Sequence, residues 1–242
     1  MDLGAVKAAA TPDLVRCAVG AAANAQGLLD DAELLAADAR HARAYTLAAL
    51  AVEEAGKAVS LGHLAMLPVS LRAQAPVGRI LAWHQLKLVS GMVIAAVPLG
   101  LAGVPFGSRC LAVQLAAMSP SQAARILDNA QALAEDQDRL KQRGLYADFD
   151  RGGLVRLPSE VSEADVAAQL GWARQAVSSA SVLLHPRTPA LLANPPTESI
   201  ELGRALVRAF AEAGSRRTPQ AAAGVMLEAL RSLQEPAAAS GR

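Results

Sequence analysis

Aromatic side chains make up only 3% of this 242-residue chain, which excludes a sheet surface that stacks bases on rows of rings. Its two cysteines, Cys17 and Cys110, are too few for a disulfide framework, and no Cys/His spacing matches a zinc site. Net charge is almost absent as well, with 23 Lys+Arg against 22 Asp+Glu leaving +1. That balance excludes a strongly basic nucleic-acid coat protein and an acidic disordered tail. It leaves room for a local phosphate pocket, which needs only a few placed cations. Several catalytic signatures are missing too. Gly56-Lys57 is followed by Ala58 and lacks the upstream glycine of a phosphate-binding loop, and there is no Gly-x-Ser-x-Gly elbow or His-Glu-x-x-His pair. A di-iron bundle would want two Glu-x-x-His pairs; the nearest thing is a single Asp38-x-x-His41. No metal, no cofactor and no DNA partner are expected. The amino terminus shows no basic region followed by an apolar run, so no signal peptide is expected and the cytoplasm is the default location.

What the chain does have is 52% hydrophobic residues, enough for a real core. Ala, Leu, Gln, Glu and Arg dominate, and all are good helix formers. Thr11-Pro12-Asp13, Ser119-Pro120 with Gln122, Ser162 with Asp165, and Thr218-Pro219 are start signals. They bracket expected helices at about 12–27, 119–143, 162–183 and 219–234. A shorter helix over 28–39 leads into a long one over about 42–66, which Pro68 stops; others are expected over 77–96 and 198–213. The non-helical island runs from Gly144 to Pro158 and reads as a tiny hairpin or an ordered loop. The fold class is therefore all-α, an up-and-down antiparallel helical bundle with a short non-helical loop or hairpin and two carboxy-terminal helices. The expected division is a bundle over 1–183, a Pro-rich linker over 184–197 and a helical appendage over 198–242. From Leu88 to Gly107 no charge occurs over twenty residues, long enough for a bilayer. Pro98, Pro105 and four glycines interrupt that stretch, so a buried helix running into an apolar loop is the better reading.

The chemistry-bearing residues lie on otherwise apolar helices. Glu53-Glu54-Ala-Gly-Lys57 places Lys57 within reach of either carboxylate on one face. Glu54 shares a face with Leu47, Leu50 and Leu61, where a charge is costly unless paired. The bland alternative is an exposed ion pair. In Arg79-Ile-Leu-Ala-Trp-His84-Gln-Leu-Lys87, His84 and Lys87 share a helical face, while Arg79 is offset from His84 by roughly 140°. Two nearby cations favour a neutral imidazole that can act as a base. His41, His63 and His185 have no acid-base partner that spacing identifies, and read as structural.

The order of these pieces resembles a known family. The run Ala44 to Ala58 with Glu53-Glu54-Ala-Gly56-Lys57, then His84-Gln-Leu-Lys87, then Leu140-Lys-Gln-Arg-Gly144-Leu-Tyr146-Ala-Asp148 with Pro158 ten residues later, looks like the AbiV family of abortive-infection proteins, a branch of the HEPN superfamily. The likeness covers roughly residues 14–182. It implies an all-helical bundle, a homodimer and a role in defence against phages. Many HEPN relatives are metal-independent ribonucleases with an Arg, four to six residues, then a His, and Arg79 and His84 meet that spacing. Ile80 stands where active relatives often carry a polar residue. The resemblance implies catalysis by His84 with Arg79 and Lys87, supported by Glu53, Glu54 and Lys57, with Tyr146 and Asp148 walling the pocket or binding the partner chain. Two functions lead at this stage, an RNA-cleaving effector or a non-catalytic helical module that senses or binds a phage or host protein; a membrane-associated effector acting through residues 88–107 is a third and less favoured reading.

Overall fold

The computed structural model describes residues 3–72, 132, 136–149 and 153–194. Helix α1 (Leu3–Ala8) leads into α2 (Thr11–Ala37), followed by α3 (His41–Met66) and the single turn α4 (Val69–Arg72). A helix over 136–145, here α5, precedes a hairpin of two two-residue strands, β1 (Asp148–Phe149) and β2 (Val155–Arg156). A 3-10 turn (Pro158–Glu160), α6 (Glu163–Ala180), a second 3-10 turn (Ser181–Leu184) and α7 (Thr188–Ala193) complete the described chain. The architecture is an all-α bundle. The expected helices over 77–96, 198–213 and 219–234, and the apolar run 88–107, lie outside the described residues. Among the described residues no helix is long and apolar enough to cross a membrane.

Helix α3 is the centre of the bundle. Only Leu47, Leu50, Glu54 and Lys57 interrupt a body that is otherwise buried from Ala44 to Val59, as expected of a helix surrounded by neighbours. It folds back on α2 through the three residues 38–40, which makes the pair antiparallel. With so few aromatics, the seam between them is built from small side chains. Ala18, Ala22, Ala25 and Ala32 on α2 and Ala44, Ala48, Ala51 and Ala55 on α3 are almost wholly buried, and small residues at a contact bring helix axes close. Helix α6 covers α3 with Val166, Leu170, Ala173 and Val177. Within the stretch expected as a linker, Leu192 of α7 is fully buried in the same core.

Several local expectations are met and others corrected. Helix α3 runs almost as its sequence pattern predicts, and Leu67 before Pro68 is its cap. Ser162 caps α6 through a reciprocal box: its hydroxyl accepts from the Asp165 amide while Asp165 accepts from the Ser162 amide at 3.0 Å. The Ser162 hydroxyl, which donates to Asp165 Oδ2 at 2.6 Å, and then the Ser162 amide hold the Asp165 carboxyl below the usual range. Residues 12–39, expected as two helices, instead form one helix as far as Ala37. Leu28 and Leu29 extend its apolar face across the expected break. Thr11 is not the helix cap; Ala10 takes that position without a side-chain bond. The Thr11 hydroxyl instead accepts from Arg72, whose guanidinium also donates to the carbonyls of Ala9, Leu67 and Ala65. Arg72, 1% exposed, thus fastens the α1–α2 link to the end of α3. Burial pushes its pKa below the ordinary arginine value. The island expected from Gly144 starts two residues later, because Gly144 and Leu145 are still helical. It then forms the hairpin, with Asp148 opposite Arg156 and Phe149 opposite Val155.

Candidate functional site

The structure brings the two most distinctive sequence segments into contact. Glu53, from the Glu-Glu-x-Gly-Lys run on α3, points inward and is 2% exposed. Its Oε1 accepts a hydrogen bond from Lys141 Nζ at 2.5 Å, across 88 residues of sequence. Both side chains are nearly sealed from water, at 3% and 4% exposure. Lys141 also pairs with Asp138 Oδ1 at 2.9 Å, one turn earlier on its own helix. That second contact is an ion pair rather than an aligned hydrogen bond, since Asp138 Oδ1 has no hydrogen-bond partner. Burial opposes the Lys141 ammonium, but its short bond to Glu53 and its attraction to the Glu53 and Asp138 carboxylates prevail and raise its pKa above the ordinary lysine value.

Gly144 explains how α5 comes near enough to make this bond. A Cβ at Gly144 would lie 2.7 Å from the Ala42 carbonyl oxygen and 2.7 Å from Thr46 Oγ1, inside any real carbon–oxygen contact. Only a residue without a side chain fits there. The Thr46 hydroxyl is itself fixed by donation to the Ala42 carbonyl at 3.0 Å. Gly144 therefore meets α3 near its first turns, while Lys141, one turn earlier on α5, reaches Glu53 farther along. The two helices run antiparallel along a seam of small residues and one buried charge pair.

Polar residues extend from this seam. Gln137 and Gln169, both buried, join α5 to α6 through a 3.4 Å amide contact. Tyr45 is 2% exposed. Burial, then the charges of Asp165 and Asp136, push its phenol well above the usual range, so it stays protonated and acts as a donor or packing group. Among the described residues no three His, Cys, Asp or Glu side chains group as a metal would need.

The expected site residues divide accordingly. Lys57 pairs with Glu54, at 2.9 and 3.1 Å, not with Glu53. Of the two readings left open for this run, Glu54 with Lys57 is nearer to the exposed ion pair: Glu54 is half-buried with Leu47, Leu50 and Lys57 on the least covered stripe of α3, and Glu53 is the interior one. Tyr146 follows α5 and is 60% exposed. Asp148 opens the hairpin, its backbone in register with Arg156. Arg79, His84 and Lys87 lie outside the described residues. Lys141 is the residue that spacing alone misses. Its one local signal is Asp138 three positions before it; its main partner comes from another helix.

The described residues, an all-helical bundle tied by a buried charge pair between two widely separated segments, place the chain in the class of all-α domains. Within it, the chain belongs to the HEPN_AbiV family: the family model described as AbiV matches residues 13–178, more than half of the chain. No curated protein and no solved structure matches the chain.

Proposed function

We propose that this chain is a cytoplasmic, homodimeric phage-defence protein that cleaves RNA without a metal. Membership of the HEPN_AbiV family over residues 13–178 carries the reading, since that span contains the Arg79–His84 spacing. RNA brings its own nucleophile, so the protein needs only to move protons and stabilise charge. His84 takes the proton from the 2′-hydroxyl as that oxygen attacks phosphorus. The bond from phosphorus to the 5′-oxygen breaks, and a proton returned through His84 leaves a free 5′-hydroxyl beside a 2′,3′-cyclic phosphate. Arg79 and Lys87 stabilise the charge developing on the phosphate oxygens. Glu53, tied to Lys141, contributes a rigid frame for the bundle rather than a reacting group. Glu54 and Lys57 face outward on the same helix, where they support the pocket wall, and Tyr146 and Asp148 flank it from the hairpin.

A second reading rests on a separate observation. Leu145, Tyr146, Leu154, Val155 and Leu157 are all exposed in one short segment, and exposed apolar clusters mark protein contacts. In that reading the chain binds a phage or host protein and catalyses nothing. Purified wild type and His84→Ala, incubated with RNA in chelator, separate the two. Cyclic-phosphate-ended products from wild type alone are the expected result. Two folded proteins that leave RNA intact would overturn the nuclease reading and favour the binding module.

A further inference from the structure

The hairpin between α5 and α6 carries its apolar residues on the outside. Val155 of β2 is 53% exposed, and Leu154 just before it is 64% exposed. Successive strand residues belong to opposite faces, so both faces of this strand meet water. Leu157 prolongs the strand in an extended conformation, with φ −117° and ψ 147°. It falls on the Val155 face and is exposed there too, as are Leu145 and Tyr146 ahead of β1. Among the described residues no third strand joins the pair. A two-stranded hairpin without a covering layer is marginal in water.

Charge and area together favour one occupant. Asp148 of β1 and Arg156 of β2 stand in register, and alternation assigns both to the face opposite Val155 and Leu157. Between Leu145 and Leu157 the charged residues are Asp148, Asp150, Arg151 and Arg156, two of each sign. A copy docked on the Val155 face therefore buries no charge. A two-fold axis along the strands sets β1 of each copy against β2 of the other, so the acid-bearing strand lies across from the base-bearing one. A partner of one sign would be repelled by one strand or the other. The exposed parts of Leu145, Tyr146, Leu154, Val155 and Leu157 amount to roughly 500 Å², over half of the roughly 800 Å² a side in a standard interface. A polar rim supplies the rest.

We propose that this hairpin is the docking surface for a second copy of the chain, with Val155 and Leu157 at its centre. The interface is isologous: the same patch serves on both sides, and each copy supplies the layer that the other lacks. The inference rests on the homodimeric part of the proposed function and names its surface. It requires neither His84 nor RNA.

Sedimentation equilibrium of the full chain over a range of concentrations tests it. Wild type is expected to dimerise. Val155→Asp/Leu157→Asp is expected to raise the dissociation constant roughly a hundredfold or more, because each copy then brings two unpaired charges into the contact. Both positions are exposed in a single copy, so the variant is expected to keep the wild-type circular dichroism. Leu34→Asp, which charges an exposed leucine on α2, is expected to leave the dimer unchanged. A second measurement decides alone if the double variant misfolds. Val155→Cys, with Cys17 and Cys110 replaced by alanine, is expected to join two copies through a short bis-maleimide. A wild-type dimer that ignores the double variant and does not cross-link at position 155 overturns the docking surface and leaves the homodimer standing. A wild type that stays monomeric overturns both, and a different protein held by this hairpin would then be its occupant.

Discussion

Glu53 and Glu54 are adjacent on α3, carry the same charge and each hold a lysine, yet one pair is interior and the other is not. Glu53 meets Lys141 from a helix 88 residues away, with 3% and 4% of the two side chains exposed. Glu54 meets Lys57 three residues on, with 18% and 24% exposed. Both bonds are short, so distance does not rank them. Desolvation does. Water still shares the outer pair and screens it, whereas the inner pair has given up its hydration, and each partner depends on the other. The inner bond therefore specifies how α5 lies on α3, and the outer one decorates a helix that would form without it.

The sharpest break of this comparison is to remove one inner partner. Lys141→Met leaves Glu53 buried without its principal cation and is expected to cost about 3–5 kcal/mol, read from urea unfolding. Glu53→Gln is expected to be severe as well. The double variant should be less destabilised than the sum of the two, because neither charge is then left alone. Strict additivity of the singles would show that the pair is not a unit. Next in size is the approach of the helices. Gly144→Ala places a methyl 2.7 Å from the fixed Ala42 carbonyl and is expected to cost about 1–3 kcal/mol through forced repacking. Gly171→Ala on α6, where nothing lies within 4 Å, is its control and should gain up to about 1 kcal/mol from helix propensity. Equal effects at the two glycines would remove the close-approach argument.

The sequence made the elements more legible than their contacts. The span of α3, the Ser162–Asp165 box and the hairpin after α5 all follow from local signals: a proline stop, a capping spacing, a cluster of turn residues. The extension of α2 past residue 27 was not legible, because Leu28 and Leu29 continue the apolar face without any breaker to show where the helix ends. Thr11 carried a cap signal that was real chemistry put to another use, since its hydroxyl serves Arg72 from α4. The inner ion pair escaped for a similar reason. Periodicity ranks residues by their own helix, and on that basis Glu54 sat with Leu47 and Leu61; which stripe of a helix with neighbours on most sides meets water depends on those neighbours. The family resemblance marked both segments as specific but gave no contact between them.

A titration sharpens the contrast by removing the inner pair's proton instead of its side chain. Lys141 has a folded-state pKa above its ordinary 10.5, so it binds its proton more tightly in the native protein than in the unfolded chain. Its contribution is complete below 10.5 and is lost as pH rises through the folded value. Wild-type stability should thus decline on the alkaline side above about 10.5, and Lys141→Met should flatten that part of the profile. An unchanged slope would mean that the lysine's proton is not linked to folding.

The smallest effect belongs to the outer pair. Lys57→Met is expected to cost no more than about 0.5–1 kcal/mol, since the bond is local and partly hydrated. The cost should shrink further at high salt, where screening shortens the reach of exposed charges, while the Lys141→Met cost should hardly change. Salt is the discriminating variable because it acts on what water can reach. If Lys57→Met proved as damaging and as salt-insensitive as Lys141→Met, the two glutamates would be equivalent in the folded protein. The Glu54 stripe would then have to be covered in solution, which is where a second chain would be sought.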